Sequence, residues 1–131
     1  MTPKSVLSEL STSLVGHKVT RVFLDEWACG LITDNDAFVR LDSLWTLYDE
    51  AGKSLDAALP IGQRQGFELW RVCASEVLKV SIVEDPEPEL VMNFSNGLVL
   101  RATGANAQWE LVTKEATIVS EGKISVFVRS E

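Results

Sequence analysis

Asn96-Gly97 stands between two runs of alternating apolar residues, Leu90 to Phe94 and Leu98 to Arg101. Asn and Gly tolerate the positive φ of a two-residue type I′ turn, so the segment predicts a tight antiparallel hairpin with one face buried. The same signature recurs along the chain. Leu31 to Thr33 and Phe38 to Leu41 flank Asp34-Asn35-Asp36, and Ala116 to Ser120 and Ile124 to Val128 flank Glu121-Gly122-Lys123. Strands are further expected from Val19 (Thr20, Val22 and Leu24 on one side), at Trp45–Tyr48 and at Trp109–Val112. Another is expected where Leu78, Val80 and Ile82 alternate with Lys79 and Ser81. Such a succession of short alternating runs leaves little room for any fold but an antiparallel sheet.

Helical signals are fewer. Pro3 suits a first turn, and Val6, Leu7, Leu10 and Leu14 share one face of a helix that Gly16 ends. Phe67, Trp70 and Cys73 or Ala74 have the spacing of a short second helix. Between the halves, Lys53 to Gly66 reads as a connection punctuated by Pro60, Gly62 and Gly66. With 131 residues the chain has the size of one domain, 1–131. The expected fold class is α+β: mainly antiparallel sheet or half-barrel from two αβββ-like repeats, with one or two short helices.

The two halves match in order. Val22 corresponds to Val80, Asn35 to Asn96, Arg40 to Arg101 and Trp45 to Trp109. A duplication with pseudo-repeats at about 3–52 and 63–131 follows, each with too few strands to stand alone. In Gly16-His17-Lys18-Val19, Met92-Asn93-Phe94-Ser95-Asn96-Gly97 and Gln108-Trp109-Glu110-Leu111, the chain resembles a family of small bacterial proteins of unknown function. Those proteins carry paired units of a Val-x-x-Val strand, a Phe-x-Asn-Gly hairpin and a Trp-containing strand. The first half departs from the pattern, with Asp34-Asn35-Asp36 in place of a glycine turn. The resemblance implies mainly the fold, and some similar proteins look like immunity proteins of bacterial toxin systems.

Charge narrows the partners. Twelve Lys and Arg oppose nineteen Asp and Glu, a net charge of −7, which repels nucleic acid and anionic lipid and favours a basic protein. No run is long and apolar enough to span a bilayer, and the start of the chain has no secretory h-region, so a cytoplasmic location is expected. Cys29 and Cys73 are read as small buried thiols.

Little in the sequence points to catalysis. One histidine, His17, and two distant cysteines make no metal site, so neither metal nor cofactor is expected. His17 reads as a surface or helix-capping residue, and no G-x-S-x-G occurs. Gly52-Lys53-Ser54 mimics the tail of a phosphate-binding loop, but Leu47 stands where its first glycine belongs. Trp45, Trp70 and Trp109 fall in periodic segments and are assigned to the core.

The densest charge feature is Glu84-Asp85-Pro86-Glu87-Pro88-Glu89. Its four carboxylates, Glu84, Asp85, Glu87 and Glu89, lie on a proline-stiffened loop whose counterpart is Asp25, Glu26 and Trp27. These seven residues are the candidate partner-binding set. The leading expectation is a non-catalytic acidic binding protein, an immunity-like inhibitor of a basic toxin. The alternatives are a secretion-type chaperone and a ligand-binding protein or enzyme with a pocket between the halves. A dimer is compatible with all three.

Overall fold

The computed structural model describes residues 12–24, 29–41, 45–55, 67–83, 89–103, 108–113, 116–121 and 124–128. Ten strands follow in chain order: β1 (Val19–Leu24), β2 (Cys29–Thr33), β3 (Phe38–Leu41), β4 (Trp45–Tyr48), β5 (Val77–Val83), β6 (Glu89–Phe94), β7 (Val99–Thr103), β8 (Gln108–Val112), β9 (Ala116–Glu121) and β10 (Ile124–Val128). They form a six-stranded sheet in the order β1-β2-β3-β8-β9-β10 and a four-stranded sheet in the order β4-β7-β6-β5. All pairings are antiparallel. Helix is confined, among the described residues, to a single turn at 12–14 and a 3₁₀ helix at Phe67–Val72. The antiparallel sheet is therefore as expected, while α+β fits only roughly a molecule that is mostly β.

Each sheet is completed by a strand from the other half of the chain. After the meander β1-β2-β3 the chain crosses to the second sheet, where β4 pairs with β7. After β5-β6-β7 it crosses back, and β8 pairs with β3. The registers of the two sheets coincide. Val22 faces Leu31 as Val80 faces Met92, and Arg40 faces Gly30 as Arg101 faces Val91. Trp109 faces Leu41 as Trp45 faces Ala102. Even the bulges correspond, at Val19/Arg21 and at Val77/Lys79.

The sheets are stitched together where β1 and β5 begin. Lys18 and Glu76 form an antiparallel bridge, flanked by reciprocal hydrogen bonds. The Gly16 N–H donates to Val77 O (2.8 Å) and the Ala74 N–H to Val19 O (2.7 Å). Val19 N–H donates to Ser75 O and Val77 N–H to His17 O, each at 2.9 Å. Beside this seam the Asn35 Nδ2 donates to Ser13 O (3.0 Å) and the Asn96 Nδ2 to Arg71 O (2.7 Å), so each hairpin tip is tied to the helical turn that precedes its own β meander.

A single core lies between the sheets. Leu31, Val39, Leu41, Trp109, Leu111 and Ile118 come from one and Leu47, Val80, Leu90, Met92, Phe94 and Leu100 from the other, with Leu14, Leu69 and Val72 from the helical turns. Trp45 and Trp109 are buried as expected, whereas Trp70 is 56% exposed: it lies on the outward side of the 3₁₀ helix, whose Leu69 and Val72 point inward. Leu78 is 53% exposed for a different reason. The bulge at Val77/Lys79 shifts the alternation, so Val77 faces the core in its place.

The Asn96-Gly97 hairpin differs in type from the expected I′ turn. Gly97 N–H donates to Phe94 O and Phe94 N–H to Leu98 O, each at 3.0 Å, and only Gly97 has positive φ, +89°. This is a three-residue loop, a type I turn followed by a left-handed residue. Asp34-Asn35-Asp36 closes in the same way, with Asp36 at φ +63° in the glycine position.

Candidate functional site

The described part of the expected partner-binding set is Glu89 alone; Glu84, Asp85, Glu87, Asp25, Glu26 and Trp27 lie outside the described residues. Because the Lys18–Glu76 bridge is antiparallel, β1 and β5 leave it in opposite directions. Leu24 and Val83, the strand ends preceding those two segments, therefore point away from each other.

Glu89 belongs to a shallow groove of about 570 Å³ on the outer face of the four-stranded sheet, lined by Tyr48, Asp49, Glu50, Gly52, Glu89, Val99 and Arg101. Strand alternation explains its composition. Trp45 and Leu47 point into the core, so Tyr48 points outward, and the β4–β7 register sets it opposite Val99. Arg101, two residues further along the same face of β7, reaches to Glu89 on the neighbouring β6, its Nη1 donating to Oε1 at 2.7 Å. On its other side the guanidinium carbon stands 6.0 Å from the centroid of the Tyr48 ring, within cation–π range. Arg101 is thus held between an aromatic face and a carboxylate. The pair is substantially exposed, so it orients the side chain more than it stabilises the fold, by less than about 1 kcal/mol.

The rim of the groove is the turn after β4. The Asp49 carboxylate accepts from the Ala51 and Lys53 N–H groups, each at 2.9 Å, and the Gly52 N–H donates to Asp49 O at 3.0 Å, with Gly52 at φ +82°. The phosphate-loop reading of Gly52-Lys53-Ser54 fails here for a physical reason. The backbone N–H groups that would face a phosphate are turned onto a carboxylate of the chain itself.

Glu50 is exposed and packs its side chain over Gly97, where a β-carbon would collide with it. It makes no hydrogen bond or ion pair among the described residues. Three carboxylates and one guanidinium thus line the groove: Glu89 is paired with Arg101, Asp49 closes the turn, and Glu50 is free to meet a cation from outside.

Among the described residues no second constellation competes with this one. His17 Nδ1 lies 2.7 Å from Asp34 Oδ1, and the Lys18 N–H donates to Asp34 Oδ2 at 3.3 Å. The hydrogen bond with His17, seconded by that from the Lys18 backbone, holds the Asp34 carboxyl below its usual range. This is an exposed link between the start of β1 and the turn joining β2 to β3, with no nucleophile attached. The Cys73 thiol is turned to Thr20 O at 3.7 Å. Among the described residues no group of three His, Cys, Asp or Glu could hold a metal, and no helix is long and apolar enough to cross a membrane.

Tyr48, Glu50 and Arg101 were not singled out by the sequence as site residues. The alternation of Trp45–Tyr48 places Tyr48 on the outer face, but its approach to Arg101 depends on pairing between β4 and β7, strands from opposite halves of the chain. No family model matches this chain, and no curated protein or solved structure matches it either.

Proposed function

We propose that this protein is a non-catalytic binding protein whose acidic surface takes a basic side chain of a protein partner, an immunity-like inhibitor being the concrete form. The observation that carries the reading is the groove: the free Glu50 carboxylate beside Tyr48, backed by Asp49 and Glu89, in a chain of net charge −7. An incoming Lys or Arg would find an aromatic face and a carboxylate in the arrangement that already holds Arg101. Like-charged surroundings raise the encounter rate with a basic partner and suppress acidic ones. A cytoplasmic site of action fits the two cysteines, both free thiols.

The proposal extends to origin. Two copies of one unit, fused and exchanging their fourth strands, account for the coincident registers, the matched bulges and the reciprocal hydrogen bonds at the seam.

Capture experiments test the function. The purified tagged chain should retain basic proteins from a bacterial lysate at low salt, release them at high salt, and lose them in the Glu50→Lys/Glu89→Lys variant. Retention that withstands both high salt and the double substitution, or of proteins that are not basic, would sink the reading.

A further inference from the structure

Of the four asparagines in the chain, Asn35, Asn93, Asn96 and Asn106, only Asn96 precedes a glycine. An asparagine side chain is an amide within reach of the next residue's backbone nitrogen. When that nitrogen attacks Cγ a five-membered imide closes, the Cγ–Nδ2 bond breaks, and Nδ2 leaves as ammonia with the proton given up by the backbone nitrogen. Water then opens the imide at either carbonyl, leaving an α-linked aspartate or a β-linked isoaspartate. A β-carbon on the following residue hinders the attack, and glycine has none. Asn35 holds the matching place in the first hairpin but is followed by Asp36. Asn96 is therefore the position at which this chemistry runs fastest once the chain is unfolded.

The fold holds each atom of the reaction out of place. Ser95 N–H donates to Glu76 O, and its Oγ accepts from the Glu76 N–H, each at 2.8 Å. Asn96 Oδ1 accepts from the Leu98 N–H at 3.2 Å, and Nδ2 donates to Arg71 O at 2.7 Å, so both ends of the amide are fixed. The attacking group, the Gly97 N–H, donates to Phe94 O at 3.0 Å. That bond puts Asn96 at the third position of a type I turn, where ψ is about 0°. Ring closure needs the Gly97 nitrogen to swing from there towards the Asn96 β-carbon. Asn96 itself is exposed, so geometry protects it and not burial.

We infer that Asn96 is a deamidation site that the folded chain guards and that opening of the β6–β7 hairpin unmasks, so that the modification marks chains that have been unfolded. The product does not fit the place it came from. Aspartate or isoaspartate at position 96 lacks the Nδ2 donor and sets a carboxylate oxygen against the carbonyl oxygen of Arg71, now without its hydrogen bond. Isoaspartate also lengthens the main chain by one methylene inside a three-residue loop. Because Glu50 packs over Gly97, the altered loop displaces the free carboxylate of the groove as well. The inference itself does not depend on the function proposed for that groove.

Incubation of the wild-type chain at one mildly alkaline pH, once folded and once in guanidinium chloride, tests this, with peptide mapping by mass spectrometry following each asparagine. In denaturant Asn96 should convert first among the four. In the folded chain it should convert at least about tenfold more slowly, since the reaction then waits for the hairpin to open. Ser95→Ala, which removes only the Oγ acceptor of the Glu76 N–H, should speed conversion in the folded chain and leave the rate in denaturant unchanged. Asn96→Asp, which reproduces the α-linked product, should unfold at lower denaturant concentration than wild type. Equal rates in the folded and unfolded chains would overturn the inference, as would an Asn96→Asp chain as stable as wild type.

Discussion

Backbone conformation at single residues gives the cleanest tests. Gly16 and Ala74 occupy matching places in the seam, and both have positive φ, +86° and +70°. Glycine adopts that region freely, whereas alanine carries strain of about 1 kcal/mol. Ala74→Gly should therefore stabilise the protein by about 0.5–1 kcal/mol, and Gly16→Ala, whose new β-carbon meets nothing within 4 Å, should destabilise it by about 1 kcal/mol. Denaturant unfolding of both variants checks the pair. Asp34 supplies a pH test. Its carboxyl is held below the ordinary range by His17 and the Lys18 N–H, so the folded state favours the ionised form. That contribution is complete above the unfolded-state value of 3.8 and fades as pH falls through the lower folded value. The Tm of Asp34→Asn should lie below wild type at neutral pH and converge with it in acid; a constant gap would contradict the assignment. Burial separates two tryptophans that periodicity treats alike. Trp109→Ala should cost about 3–5 kcal/mol and Trp70→Ala less than about 0.5 kcal/mol by the same measurement, since Trp109 is 1% and Trp70 56% exposed.

At the scale of elements, local patterns located the strands and missed what interrupts them. Alternation placed β3, β4, β6 and β8 with their core residues, Val39 and Leu41, Trp45 and Leu47, Leu90 to Phe94, Trp109 and Leu111. It misassigned Thr20 and Leu78, both outward, because a bulge inserts one residue without any mark in composition. The hairpin at Asn96-Gly97 was legible as a turn but not as a three-residue one. Its type is set by the Phe94–Leu98 pairing and by the Asn96 side chain, whose Oδ1 accepts from the Leu98 N–H within the turn while its Nδ2 caps Arg71 O. The same loop at Asp34-Asn35-Asp36 lacks glycine, so Asp36→Gly should stabilise it by a few tenths of a kcal/mol to about 1 kcal/mol, read from the thermal midpoint. The candidate site was the least legible part. Tyr48, Glu50, Glu89 and Arg101 come from three segments, and only the pairing of β4 with β7 and of β7 with β6 assembles them.

The whole molecule is tied by its exchanged strands. Since β8 completes the sheet of the first half and β4 that of the second, neither meander keeps its neighbours if the other unfolds. Calorimetry should show one transition whose van't Hoff and calorimetric enthalpies agree; two separable transitions would mean that the halves are independent. The same architecture leaves two unlike outer surfaces, one with the acidic groove and the other with the stacked rings of Phe23 and Phe38. Net charge alone announced the first. The second was hidden, because Phe23, Ile32 and Phe38 read in sequence as ordinary strand residues until the register puts them on one outward face.

NMR titration reaches the groove most directly. An arginine-rich peptide added to the isotopically labelled chain at low salt should shift the amide signals of Tyr48, Glu50, Gly52, Gly97 and Arg101, and Glu50→Lys should abolish those shifts while leaving the rest of the spectrum in place. Shifts scattered over the whole acidic surface, or identical in the variant, would contradict a site at the groove.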